Sequence, residues 1–159
     1  MFSHDGIRDS LTQLAAPTLL YEELRRELAR AKRQNQPISL IRFLLVPGRL
    51  QLHVSEVTYS EFEGGVINFA HTLTLLSRTE DVCARMGELE FVCVLHGLEE
   101  ASWKFISRIS LNWTDQTSSQ ARRQGGNDLT LEVASVVSTP SESALDFLNR
   151  LDLVPTTSL

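Results

Sequence analysis

Arg78 and Asp81 stand three residues apart in the charged run Arg78-Thr79-Glu80-Asp81, directly ahead of an apolar stretch. Arginine offers a planar fork to phosphate oxygens and a flat face to a purine, and a carboxylate accepts hydrogen bonds from the N–H groups of such a base. The pair therefore offers a cation and a carboxylate to a polar ligand, and as an isolated string it equally describes an ordinary surface ion pair. Behind it, 82–85 and 90–95 read as two short strands folded back around Met86, Gly87, Glu88 and Leu89. Gly-Glu at the centre suits a type II′ turn, whose first central position needs φ > 0. Cys83 and Cys93 fall in opposite arms of this hairpin, among apolar neighbours and away from any second Cys or His cluster. That setting predicts buried reduced thiols rather than a disulfide or a metal site. Arg122-Arg123 beside Gly125-Gly126 offers either a grip on an anion or an exposed flexible loop.

These groups need elements to position them, and hydrophobic periodicity supplies a set. Leu20, Leu24, Leu28 and Ala31 make one apolar stripe on a helix over 19–35, which Pro37 terminates. The apolar run 38–46, closed by Pro47-Gly48, reads as a strand buried on both faces. Residues 49–63 fit a strand and a helix equally, and Gly64-Gly65 breaks them off. A helix over 66–77 turns Ile67, Ala70, Leu73 (or Thr74) and Leu76 inward, and another runs over 98–112 with Trp103, Phe105, Ile106 and Ile109 as its apolar content. The polar segment 114–128 reads as a flexible loop. Alternation at Leu129, Leu131 and Val133 marks a half-buried strand over 129–137. A last helix opens at Ser138-Thr139-Pro140-Ser141 and carries Ala144, Phe147, Leu148 and Leu151 inward, with 153–159 expected to fray. The order predicts one α+β domain over 1–159, a mostly antiparallel sheet with helices packed on it.

The 159 residues suffice for a self-supporting core, and 42% hydrophobic content is ordinary for a globular chain. A net charge of −5 argues against a nucleic-acid-binding surface. No apolar run approaches a membrane span, so no membrane insertion is expected. The first residues lack a signal peptide's charged and apolar regions, which makes a cytoplasmic location the default.

Several of these stretches together resemble the GGDEF domain, the diguanylate cyclase family of bacterial cyclic di-GMP signalling. Asp9-Ser10-Leu11-Thr12-Gln13-Leu14 is similar to the family's D-x-L-T-G-L opening, and Ala84-Arg85-Met86-Gly87-Glu88-Leu89-Glu90-Phe91 stands where the family has A-R-L-G-G-D-E-F. Arg78-Thr79-Glu80-Asp81 matches the R-x-x-D of its inhibitory site. Residues 129–134 look like its V-T-V-S-I-G strand, and 148–152 like the L-L-x-x-A-D of its last helix. The similarity spans roughly residues 9–152.

The resemblance implies a nucleotidyl-cyclase-like fold and, for intact members, condensation of two GTP on metal ions at the hairpin. Divalent metals on phosphates want carboxylate ligands. The two positions that supply them fall on Leu44 and Leu89, and the second signature glycine is Glu88, leaving Gly87, Glu90 and Phe91 as the degenerate active-site remnant. A catalytically inactive domain that takes up no metal and needs no cofactor is therefore expected. The inhibitory site of the family holds cyclic di-GMP through its Arg and Asp, here Arg78 and Asp81, one helical turn apart at a helix end, with Arg108 on the next helix as the second arginine. The expected function is that of a cyclic di-GMP receptor. The alternative is a nucleotide-independent module that contacts a protein partner or forms a homodimer through the apolar surface of Leu44, Val46 and Leu89.

Overall fold

The apolar run that begins at Ile38 becomes the central strand, β1 (Ile38–Pro47). The computed structural model describes residues 2–48, 62–124 and 129–159, with 115–124 described by their backbone alone. β3 (Glu90–His96) lies on one side of β1 and β4 (Leu129–Val137) on the other. β2 (Val82–Arg85) pairs outside β3, and β5 (Thr157–Ser158) outside β4, so the order is β2-β3-β1-β4-β5 with every ladder antiparallel. The two-residue period of β1 sends Ile41, Phe43 and Leu45 to one face and Ile38 and Leu40 to the other. Helices α2 (Glu63–Leu76) and α3 (Glu99–Gln124) cover the first face; α1 (Pro17–Gln34) and α4 (Ala144–Leu153) cover the second. The expected α+β class with a central antiparallel sheet is what the chain forms.

Phe69 is the hub of the α2/α3 side. Its ring lies 5.0 Å from Phe91, 5.3 Å from Trp113 and 5.4 Å from Phe43, all edge-on. This cluster sets the rotation of α2 and corrects its expected inward face. Val66, Phe69, Ala70 and Leu73 are buried, whereas Ile67 is 44% exposed. Gly64-Gly65, read as a break, lies inside the first turn of α2. A Cβ on Gly65 would sit 2.5 Å from the Leu129 side chain, so the missing atom lets the helix start against β4.

The segment 114–124 is not a loop but the second half of α3. No glycine or proline interrupts the sequence there before Gly125, and Gln, Ser, Ala and Arg are all compatible with a helix. The glycines that were paired with Arg122-Arg123 lie outside the described residues, as do the ambiguous 49–61.

The last helix starts later than its sequence signals suggest. Ser138 still extends the sheet, exchanging hydrogen bonds with Ile38 through its N–H and its hydroxyl. Pro140 falls in a turn in which Ser141 takes a φ of +66°. The N-cap is Ser143, whose Oγ accepts from the Asp146 N–H at 3.1 Å. The terminal residues also depart from the expected fraying. Thr157 and Ser158 pair with Val133 and Glu132, and the Leu159 N–H donates to the Leu131 carbonyl. Arg42 anchors the approach, donating to Asp152 Oδ1 and to the Val154 carbonyl. Among the described residues no helix is long and apolar enough to cross a membrane.

Replacing Phe69 by alanine would empty the point where four rings meet. Urea unfolding of Phe69→Ala should show a loss of about 3–5 kcal/mol, within the range for buried aromatic truncation; a loss below about 1 kcal/mol would contradict this role.

Candidate functional site

The hairpin is held from inside by a buried ion pair. Arg85 and Asp9 are 2% and 0% exposed, and Arg85 Nη1 donates to Asp9 Oδ1 at 3.1 Å and to Oδ2 at 3.3 Å. Thr12 also holds the Asp9 carboxylate, its N–H and hydroxyl both donating to Oδ2. Arg85 Nη2 donates to the Glu88 carbonyl at 2.9 Å, which folds the four residues 86–89 around the guanidinium. Glu88 is drawn in as well: one carboxylate oxygen accepts from Arg85 and the other from the Phe2 N–H, and the Phe2 ring lies over the guanidinium. The connection is therefore a four-residue loop and not the expected two-residue type II′ turn. Gly87 does not have positive φ, and a Cβ there would meet its neighbours at ordinary contact distances of 3.7 and 3.8 Å. The loop takes its shape from Arg85.

Leu89, Glu90 and Phe91, three of the residues expected to form the active-site remnant, each have a structural partner. The Leu89 carbonyl accepts from the Leu45 N–H at 2.9 Å, and its side chain packs against the core. Phe91 is fully buried beside Phe69. Glu90 stands opposite Leu44 across the sheet, and both are half-buried. Burial pushes the Glu90 carboxyl above its usual range; Arg42 pulls it down and Asp152 pushes it up further. Leu44 and Leu89 carry no ligating atom, and among the described residues no three His, Cys, Asp or Glu side chains gather to hold a cation.

The corner ahead of the hairpin is different in kind. α2 ends at Leu76, so Arg78 and Asp81 sit in a tight turn beyond the helix and not in its last turn as expected. Asp81 Oδ2 accepts from the Arg78 N–H at 2.7 Å, and the Asp81 N–H donates to the Arg78 carbonyl at 3.1 Å. The turn fixes the carboxylate while leaving the Arg78 guanidinium exposed. Arg78, Asp81 and Arg108 line one cavity of about 760 Å³, together with His96, Leu98, Trp103 and Lys104. The Arg108 guanidinium lies 5.8 Å from the Phe105 ring centroid, and Lys104 pairs with Glu100 at 2.7 Å. Half-burial raises the Asp81 carboxyl, the Arg78 N–H bond lowers it, and Glu80 raises it again. The arrangement can meet phosphate oxygens with guanidinium groups and N–H donors with the carboxylate. Sequence reasoning missed His96, Leu98 and Lys104 here. Lys104, one helical turn before Arg108, was the signal available.

No family model matches the chain, and no curated protein matches it. Solved structures match its fold over most of its length. The GGDEF domain of DgcB from Caulobacter crescentus, in complex with c-di-GMP, has a TM-score of 0.75 at 19% identity, covering 96% of this chain and 86% of that one. The FimX GGDEF domain from Pseudomonas aeruginosa has a TM-score of 0.65 at 18% identity, covering 91% and 88%. The diguanylate cyclase SiaD from Pseudomonas aeruginosa, in complex with its activator SiaC, has a TM-score of 0.74 at 23% identity, covering 91% of this chain and 55% of that one.

Arg85→Ala would leave the Asp9 carboxylate buried without its cation. Chemical denaturation should show a loss of about 3–5 kcal/mol, as for a broken buried pair. A near-neutral result would mean that Asp9 is satisfied by Thr12 alone.

Proposed function

We propose that this chain, which has the fold of a GGDEF domain, is a catalytically inactive receptor that binds cyclic di-GMP at the corner cavity of Arg78, Asp81 and Arg108. The observation that carries the reading is the convergence of these three side chains, from a turn and a separate helix, on a single cavity. Arg78 and Arg108 supply guanidinium groups for phosphate oxygens and flat faces for the purine rings. Asp81 accepts from the guanine N1–H and amino group. The complex of the DgcB GGDEF domain with c-di-GMP is in keeping with this ligand class.

Loss of cyclase chemistry follows from the residue types at the hairpin. Hydrocarbon at Leu44 and Leu89 offers a divalent ion no oxygen, and the Glu88 carboxylate is turned toward Phe2 and Arg85. The receptor accordingly needs no metal or other cofactor, and the cytoplasm, where such a nucleotide is made, is its place of work. The alternative, a protein-contact module on the old active-site face, has less to recommend it. Leu89 packs partly against the core, which leaves less of its apolar surface for such a contact.

Calorimetric titration tests the proposal. Wild-type protein should bind cyclic di-GMP, and Arg78→Ala should weaken binding about 10- to 100-fold, the worth of a charge-assisted bidentate contact. No heat for the wild type, or equal affinity in both proteins, would sink the assignment.

The state of Asp81 adds a pH signature. Only the ionised carboxyl accepts guanine donors, so affinity should fall as pH drops through its titration. Because burial raises that titration, the fall begins at higher pH than for a free carboxyl near 3.8. Stability without ligand runs the other way. A raised folded-state value favours the protonated form, so this group's contribution is present at low pH and lost as pH rises through its titration. Asp81→Asn should remove both dependences, which titrations and denaturation across pH 3–7 would check.

A further inference from the structure

We propose that Cys83 and Cys93 form a paired oxidation site, which closes to a cross-strand disulfide by exchange with a low-molecular-weight disulfide such as oxidised glutathione. The two residues are direct partners in the β2–β3 ladder, and their sulfurs lie 2.9 Å apart as free thiols. The backbone phase of the ladder is the favourable one. The Cys83 carbonyl and the Arg85 N–H both bond outward, to Ala15, while the Met86 N–H bonds inward to the Glu90 carbonyl. Cys83 and Cys93 are therefore a non-hydrogen-bonded pair. Such pairs have Cα atoms about 4.5 Å apart with side chains close together, inside the range of about 4.4–6.8 Å that a disulfide spans. The sulfurs need to approach by less than an ångström to reach the bonded distance of about 2.05 Å.

The exposure of the two thiols sets the order of events. Cys83 is only partly buried and so reachable, whereas Cys93 is fully buried. Cys83 loses its proton and attacks one sulfur of the external disulfide. That S–S bond breaks and one thiolate leaves, taking up a proton. Cys93 then attacks Cys83 Sγ, giving its own proton to the second departing thiolate. The net change oxidises two protein thiols and reduces one external disulfide to two thiols. Burial pushes the Cys93 thiol well up, which suits it to the second, intramolecular role and not to the first attack. The crosslink joins the hairpin arms two residues behind Asp81, yet its formation does not depend on the ligand assigned to that corner.

The test is treatment of the native full chain with oxidised glutathione, followed by alkylation of the remaining thiols, denaturation, tryptic digestion and mass spectrometry. Cleavage after Arg78, Arg85 and Lys104 leaves the cysteines on separate peptides, 79–85 and 86–104. The expected product is these two peptides joined and lacking two hydrogen atoms, formed within one chain at low protein concentration. In Cys83→Ser, Cys93 should stay free of glutathione under the same conditions. A wild-type chain that retains both thiols, stops at a glutathione adduct on Cys83, or crosslinks only in denaturant would overturn the proposal. A glutathione adduct on Cys93 in the variant would overturn the order of attack.

Discussion

The contact on which the rest of the structure depends is the buried bond between Arg85 and Asp9. Two ions removed from water gain little net stability from each other, so the value of such a pair lies in what it positions. Here it joins the chain's first turn to the end of β2. The first segment then supplies Ala15 as an extra rung along β2, and Ala16 leads directly into α1. The same guanidinium draws in the Glu88 carbonyl and closes the hairpin loop. One side chain thus sets the entry to the first helix, the outer edge of the sheet and the shape of the loop.

This dependence explains why the hairpin was legible as an element and illegible in detail. Two short apolar stretches around a central glycine announced two strands and a reversal. The loop conformation, however, is dictated by a partner 76 residues away in sequence, so local turn chemistry had no say. The segment 114–124 failed for a related reason. Polar composition was read as an absence of structure, yet nothing in it opposes a helix already nucleated by Phe105, Ile106 and Ile109 packing on the sheet. β1 and β4 were legible almost residue by residue because each buries a regular pattern. The inward face of α2 was not, because Ile67 and Phe69 are both apolar and only the rings around Phe69 distinguish them.

The candidate site was only partly legible, since Arg78, Asp81 and Arg108 line one cavity with Lys104 and His96, which the sequence did not single out. Arg78 and Asp81 stood out as a charged string, and Arg108 entered only through the resemblance. The residues that give the cavity its walls, Leu98, His96 and Lys104, come from the end of β3, the connection after it and the first turns of α3. They carry no motif because a wall needs only shape and contact. At the hairpin, by contrast, packing and hydrogen bonds account for the placement of the side chains. Leu89, half-buried, packs against the core, and Glu88 holds the first segment through the Phe2 N–H.

The strands at the two margins of the sheet share a further property. Outside β2 the Cys83 carbonyl and the Arg85 N–H are taken by Ala15, and outside β4 the ladder at Glu132 and Val133 is taken by β5. The first and last segments thus act as guards on opposite edges, occupying groups that would otherwise template a neighbouring chain. Stripping the last segment, which carries none of the buried core residues, would open a row of backbone donors and acceptors along β4. The first symptom would then be aggregation and not unfolding.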